Sequence, residues 1–198
     1  MSKVLFNGNN KTKQEIELAL NLKVGRFSVD NFYEAKLLNE LAQEKGVNEA
    51  KAFTNWFLSE MEDYSEEEVE IIVTDNPGDN GADAIYYDED NLTLKIYQFK
   101  YSADFNYVCK GYSQLMEAVK KRLDIKDYLK KAKKLELYLV TTCDNHDDLV
   151  IKQKNSKKSM KAYLTRQGIN IELEYELFDL KRFSHFFEKI YGVNLNLN

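Results

Sequence analysis

Apolar residues along this chain change rhythm, and each rhythm predicts an element. Over the first third they recur every three or four positions, as one face of a helix requires. Ile16, Ala19, Leu20 and Val24 share one side of a short helix that Gly25 stops. Asp30 or Asn31 caps a second helix, whose Phe32, Ala35, Leu38, Leu41 and Ala42 run on towards Gly46. A third starts near Asn48, with Ala52, Phe53, Trp56 and Phe57 as its apolar stripe. Glu49 and Glu60 extend that stripe, one helical turn before Phe53 and one after Trp56, which puts two carboxylates on an otherwise core-facing side.

From Val69 the period falls to two. Val69, Ile71 and Val73 alternate with other residues, Ala82 to Tyr87 is short and aromatic, and Thr93 to Tyr101 alternates over its whole length, which predicts three strands. Asp88, Glu89, Asp90 and Asn91 are turn formers, so the second and third strands should pair as a hairpin. Helical spacing then returns in Val108, Tyr112, Leu115, Val119 and Leu123, read as one long helix. Leu135 to Thr141 is a strand, Asp147 to Arg166 a basic helix, and Ile171, Leu173, Tyr175 and Leu177 alternate with glutamates as a half-exposed strand. Phe183, Phe186, Phe187 and Ile190 close the chain on an amphipathic helix. The order predicts an α/β fold, a mixed sheet of about five strands flanked by helices. Residues 1–46 form an N-terminal helical segment and 47–198 the core, in a single compact domain overall.

A chain of 198 residues, 43% of them hydrophobic, can bury a full core without disulfide or metal staples. Cys109 and Cys143 lack zinc or redox spacing, and His146 and His185 alone make no histidine-rich metal site. Cys143 beside His146 reads better as a buried strand-end thiol than as half of a nucleophile pair. No P-loop or dinucleotide glycine motif is present, and Pro77 interrupts the one stretch similar to a calcium loop. No apolar run is long enough to span a membrane and no apolar leader is evident, so the expectation is a soluble, cytoplasmic protein with no membrane partner. The net charge of −5 conceals a polarity: Cys109 to Arg166 holds 15 Lys and Arg against 7 Asp and Glu, while the remainder holds 13 against 26. Such a basic lobe suits a polyanion, although lysine-rich helices are as often only solvated.

The chemistry concentrates in the hairpin. Asp79, Gly81 and Asp83 fall in and just after a glycine-rich turn, and Gln98 and Lys100 end the second strand. Leu94, Ile96, Gln98 and Lys100 share one face, so an aliphatic side finishes in an amide and an ammonium. A buried lysine needs an anion nearby, here either Asp83 or a ligand phosphate. A carboxylate at the strand start, the Gln98 side-chain oxygen and the Phe99 carbonyl are hard ligands for Mg²⁺ or Mn²⁺, and Lys100 can neutralise charge that builds on a phosphate. One further acid is needed, with Glu49 and Glu60 as candidates. Each residue alone is more often structural, since Asp, Asn and Gly clusters usually mean turns.

The stretch GDNGADAIYYDEDNLTLKIYQFKYS resembles the core of the PD-(D/E)xK nuclease superfamily in its Q-x-K form, as in Mrr-type enzymes. Its texture is similar to the N-terminal nuclease domain of AIPR-type abortive phage infection proteins. The resemblance implies metal-dependent DNA cleavage in bacterial anti-phage defence, with Asp83 as metal ligand, Gln98 in place of the second acid and Lys100 as the catalytic lysine. Asp79 matches an acidic turn position that supports the loop beside Gly81. One departure is plain: many relatives carry Phe-Glu on the first core helix, where this chain has Phe53-Thr54, and Glu34 matches the pattern only far upstream. A catalytically inactive nuclease-fold module, binding nucleic acid or docking a protein of a defence system, is the alternative.

On either reading the basic lobe acquires a role. Lys120, Lys121, Arg122, Lys130, Lys131 and Lys134, followed by Lys154, Lys157 and Lys158, would contact phosphates without reading bases. DNA or RNA is left open as the substrate, and cutting both strands of a duplex would favour a homodimer.

Overall fold

Ser65 settles the start of the core. In the computed structural model, which describes residues 5–6, 11–22, 26–27, 37, 41, 48–74 and 81–191, its hydroxyl accepts from Glu68 N at 3.2 Å, and Glu68 Oε2 accepts from Ser65 N at 2.8 Å. This capping box, followed by three glutamates that favour a helix N-terminus, makes Glu66–Ile72 a helix and not the first expected strand. Val69 and Ile72, three apart, are buried, whereas Ile71 is 80% exposed. Only Val73 stays extended, as an isolated antiparallel bridge to Ala84. Among the described residues the main sheet therefore has four strands, not five.

The chain divides into two compact units, 1–52 and 53–198, a boundary six residues beyond the expected one. In the first, β1 (Leu5–Phe6) and β2 (Arg26–Phe27) pair in parallel on either side of α1 (Lys13–Asn21) in sequence. Ile16, Leu37 and Leu41 form its small core. The expected cap at Asp30 or Asn31 lies outside the described residues, as do Glu34 and most of the second helix.

Helix α2 (Glu49–Glu60) crosses the boundary and α3 (Glu66–Ile72) follows. The hairpin is β3 (Ala84–Asp88) and β4 (Thr93–Lys100), antiparallel, with Ala84 opposite Tyr97. Two shorter helices, α4 (Phe105–Lys121) and α5 (Leu123–Leu129), replace the expected single one. Arg122 between them is extended, and Leu123 is 75% exposed. Then come β5 (Lys134–Thr141), α6 (His146–Arg166), β6 (Glu172–Phe178) and α7 (Leu180–Tyr191). Strands β4, β5 and β6 run parallel, in the order β3-β4-β5-β6, each parallel step made by a helical crossover.

Alternation along β4 separates two cores. Leu94 and Ile96 pack with Val108, Tyr112 and Leu115 of α4 and with Leu149, Met160 and Leu164 of α6. On the opposite face Tyr97 and Phe99 join Phe57, Leu58, Phe178 and Phe183, with the Phe57 and Phe178 rings meeting edge to face at 4.9 Å. Burying each large apolar side chain contributes about 1.5–3 kcal/mol, so both faces of the sheet are committed to packing. Gln98 and Lys100 continue the α4 face to the carboxyl end of β4. Since β3 is antiparallel, its beginning lies at that same end, and Asp83 N donates to Tyr97 O at 2.9 Å. Topology alone thus brings the acid and the Q-x-K pair to one edge. Among the described residues no helix is long and apolar enough to cross a membrane.

Candidate metal and phosphate site

Asp83 and Gln98 meet at the end of the hairpin, and Lys100 follows on the same face of β4. Asp83 Oδ2 accepts from Gln98 Nε2 at 2.5 Å and from Phe99 N at 2.6 Å. The carboxylate forces the orientation of the amide: with Nε2 turned to Asp83, Gln98 Oε1 faces away, buried and without a donor. Gln98 is only 2% exposed, and an acceptor left without a donor at that depth costs about 1–3 kcal/mol.

Lys100 is 6% exposed, and among the described residues no carboxylate comes within ion-pair distance of its nitrogen. Its Nζ lies over the Tyr107 ring, 4.8 Å from the centroid. Of the two anions expected for it, Asp83 or a ligand phosphate, the carboxylate is engaged instead with Gln98 and the Phe99 amide. A face of tyrosine compensates part of a buried charge, by about 0.5–2 kcal/mol, and leaves the cation able to receive an anion.

Two glycines let the walls close. A Cβ on Gly111 of α4 would fall 2.5 Å from Leu139 Cδ1, 3.4 Å from Gln98 Cγ and 3.6 Å from Lys100 Cγ, so the helix lies directly against the Q-x-K side chains. Gly81 has φ +89°, and a Cβ there would fall 2.6 Å from the Gln114 carbonyl oxygen. The turn that delivers Asp83 is therefore pressed onto α4 one helical turn beyond Gly111. Thr74 anchors its other side, its N–H donating to Asp83 O at 2.9 Å.

Several expected residues are elsewhere. Asp79 lies outside the described residues. Glu60 is exposed, because the buried side of α2 is set by Thr54, Phe57 and Leu58; Ala52 and Glu60 fall off it. Glu49 is half-buried in the first turn of α2 and belongs to the first compact unit. Among the described residues, no three His, Cys, Asp or Glu side chains form a cluster that could hold a metal.

The basic lobe does not ring the site. Lys134 pairs with Glu136 at 2.8 Å and Glu174 at 2.9 Å, and its place opposite Thr93 is the far end of β4 from Lys100, about 23 Å away at the rise of a strand. Lys130 pairs with Asp127 at 2.7 Å, and Lys131 lies with it just before β5, so this stretch is a solvated end of the sheet. Lys120 and Lys121 close α4, with Lys120 Nζ over the Tyr163 ring and Lys121 beside Glu117 at 3.2 Å. Arg122 binds Asp124 at 2.7 Å and reaches Thr74 Oγ1 at 3.5 Å, which brings this cation to the residue whose N–H donates to Asp83 O. Lys154, Lys157 and Lys158 are exposed along α6 and remain accessible to phosphate.

Two features were not singled out from the sequence. Gln114, on α4 beside Gly81, also holds a buried side-chain oxygen without a donor. His146 Nδ1 meets Asp179 Oδ2 at 2.5 Å, and the fully buried Asp179 also caps α7 by accepting from Arg182 N at 3.0 Å. His146 therefore has a carboxylate partner rather than Cys143, which is fully buried as expected and lies 3.6 Å from the Ala103 carbonyl.

No family model and no solved structure matches the chain. Short stretches are similar to diaminopimelate decarboxylases. That of Halalkalibacterium halodurans is 47% identical over 45 residues, 23% of this chain and 10% of the enzyme. That of Bacillus subtilis is 46% identical over 44 residues, 22% and 10% of the two chains. That of Methanocaldococcus jannaschii is 43% identical over 51 residues, 26% and 12%. The chain thus spans about a tenth of the length of these curated relatives, too short a piece to bring their activity to it.

Proposed function

We propose that this chain is a divalent-metal-dependent nuclease that hydrolyses phosphodiester bonds of DNA, with RNA as the other substrate of the same chemistry and bacterial anti-phage defence as the setting. The observation that carries the reading is a buried lysine with no carboxylate partner among the described residues, two residues beyond a buried glutamine whose amide oxygen has no donor. Structural residues at such depth normally find partners, and both would find them in a phosphate and a hard cation.

The residue types suit Mg²⁺ or Mn²⁺: the Asp83 carboxylate and the Phe99 carbonyl are hard oxygens at one sheet edge, and Gln98 adds its Oε1 when the amide that now turns Nε2 to Asp83 rotates over. When bound, such an ion polarises a phosphate and makes a water acidic enough to attack it. The chain's own residues do the rest. Asp83 holds the Gln98 amide in one orientation and ties the start of β3 to β4 through Phe99 N. Lys100, held over Tyr107, presents an ammonium that can bind a phosphate oxygen and neutralise negative charge as it grows there. Gly111 and the α4 backbone exclude water from one side of both groups.

The test is cleavage of labelled oligonucleotides and plasmid DNA in Mn²⁺. Asp83→Asn and Lys100→Met should each abolish cutting in a folded protein, and excess EDTA should stop the parent. Cutting that survives both substitutions, or chelation, sinks the mechanism.

A second reading, an inactive nuclease-fold module, is favoured by the lack of an acidic cluster among the described residues and by Thr54 in place of a helix glutamate. It predicts nucleic-acid binding with no cleavage and no Mn²⁺ site that depends on Asp83.

A further inference from the structure

Two amide oxygens are shut away from water without a donor, Gln98 Oε1 and Gln114 Oε1, and among the described residues these are the only buried side-chain nitrogen or oxygen atoms so placed. They come from opposite walls of one seam. Gln98 rises from β4 beneath Gly111, its Cγ 3.4 Å from the position a Cβ would take there. Gln114 stands one turn further along α4, and its own Cβ is 2.8 Å from where a Gly81 Cβ would be. Asp83, two residues after Gly81, reaches back to Gln98 at 2.5 Å. The seam between α4, β4 and the Gly81 turn is therefore bordered by the Asp83 carboxylate, which accepts from Gln98 and Phe99 N, and by two side chains whose amide oxygens have no donor among the described residues.

Leaving both acceptors bare costs about 1–3 kcal/mol each, so something that attracts oxygen must satisfy them. Among the described residues no protein donor reaches them, and a water or a cation would. The carboxylate beside them favours the cation: a hard dication takes six or more oxygens, and amide carbonyls are regular members of such shells. Gln114 carries no charge, so it leaves no mark as an acidic cluster.

We propose that Gln114 is an additional oxygen ligand, supplied from α4, that takes the place of the missing helix acid in the divalent-cation site of Asp83 and Gln98. This rests on the metal-dependent reading above, and it adds a residue that no motif in the sequence signals. The site so built is closed by the helix that follows the Q-x-K strand and not by the helix that precedes the hairpin.

The test is calorimetric titration of the full chain with Mn²⁺, with thermal melting in the presence and absence of the ion, on the parent, Gln114→Leu, Gln114→Glu and Asp83→Asn. Leucine keeps the volume and loses the ligand, so Mn²⁺ affinity should fall by roughly tenfold or more. Glutamate restores a ligand and adds charge, so binding should be tighter than in the parent, and Mn²⁺ should raise the melting temperature by more. A purely packing role would let the isosteric glutamate match the parent without exceeding it, so a Gln114→Glu variant that only matches the parent overturns the inference. Parent-like binding in both variants overturns the inference, as when a water fills the seam, and so does weakened binding in both. Neither outcome touches the metal reading while the Asp83→Asn variant still loses the ion. A parent that binds no Mn²⁺ overturns both.

Discussion

Replacing Lys100 by methionine should make this protein more stable and disable it at once. The side chain is 6% exposed, and among the described residues no carboxylate lies within ion-pair distance of it. Bringing an ammonium out of water without a counter-ion costs several kcal/mol even after relaxation. The Tyr107 face 4.8 Å away returns about 0.5–2 kcal/mol of that. Methionine has nearly the same length and fills the space under Gly111 without a charge, so its transfer is favourable where that of lysine is not. The net expectation is a gain of about 1–3 kcal/mol, or a rise of roughly 2–10 °C in melting temperature for a unit of this size. Differential scanning calorimetry in low salt and without divalent ions reads it directly, and the same samples are assayed for cleavage. A Met variant that melts at or below the parent temperature refutes the reasoning, because Lys100 would then contribute to the fold as an integrated structural cation. A functional group held at a cost to stability should show the opposite.

Other perturbations separate the scaffold from the site. Gly111→Ala gains about 1 kcal/mol of helix propensity but places a methyl 2.5 Å from Leu139 Cδ1 and against Gln98 and Lys100, so cleavage should fall more steeply than melting temperature; equal losses would show that α4 does not shape the site. Ser65→Ala removes the capping box of α3 and should destabilise the core by about 1 kcal/mol in urea unfolding, and no loss would mean that the helix is held by Val69 and Ile72 alone. Burial raises the carboxyl pKa of Glu136, but hydrogen bonds from Lys134 and Tyr138 outweigh it and hold the group below the usual carboxylate range. Since the folded value is the lower one, its stabilisation is present above the unfolded pKa near 4.5 and is lost as pH falls through the folded value. The Glu136→Gln variant should therefore lose less stability than the parent on acidification through that range, and parallel melting curves against pH would refute the assignment.

How much of this could be read from the sequence depends on how far apart the deciding residues are. Local alternation carried the hairpin, the end of β4 and the parallel strands β5 and β6 to within a residue or two. The segment at Val69 was misread because Val69 and Ile72 satisfy a helical step while Val69, Ile71 and Val73 satisfy a strand; Ser65 followed by Glu68, the capping-box signature, was the signal that could have decided it. The break at Arg122 has no glycine or proline to announce it. Ile125 and Leu129 are buried there, and Leu123 would not be in line with them. The Glu60 expectation failed for a related reason: an aromatic stripe with a half-buried margin can be rotated by one position, and Leu58 rather than Ala52 turned inward.

The site divides along the same line, and the division bears on how it works. The contact of Asp83 with Gln98, and the place of Lys100 on the same face, were legible because period-two alternation and an antiparallel pairing set them. Gln114 and the pair of His146 with Asp179 were not, because each depends on a contact between elements that no local pattern encodes: a glycine at φ +89° in one case and the meeting of two loops at the carboxyl ends of β5 and β6 in the other. The register continues this edge across the sheet. Lys100 lies beside Thr141, and Asp179 follows Phe178, the partner of Val140, so Lys100, Thr141 and Asp179 occupy one row and share the α4 and α6 face. Polar residues replace the aliphatic rows Leu94–Leu135–Leu173 and Ile96–Leu137–Tyr175 only at this end, and two of the three are charged side chains buried where Leu or Tyr would pack. A core that gives up apolar packing at one edge on three neighbouring strands incurs a desolvation cost at each. Partnering offsets it at Thr141, which accepts from Cys143 N, and at Asp179, held by His146 and Arg182 N. At Lys100 only an aromatic face does so, which makes that end of the row the place where an outside anion has most to add.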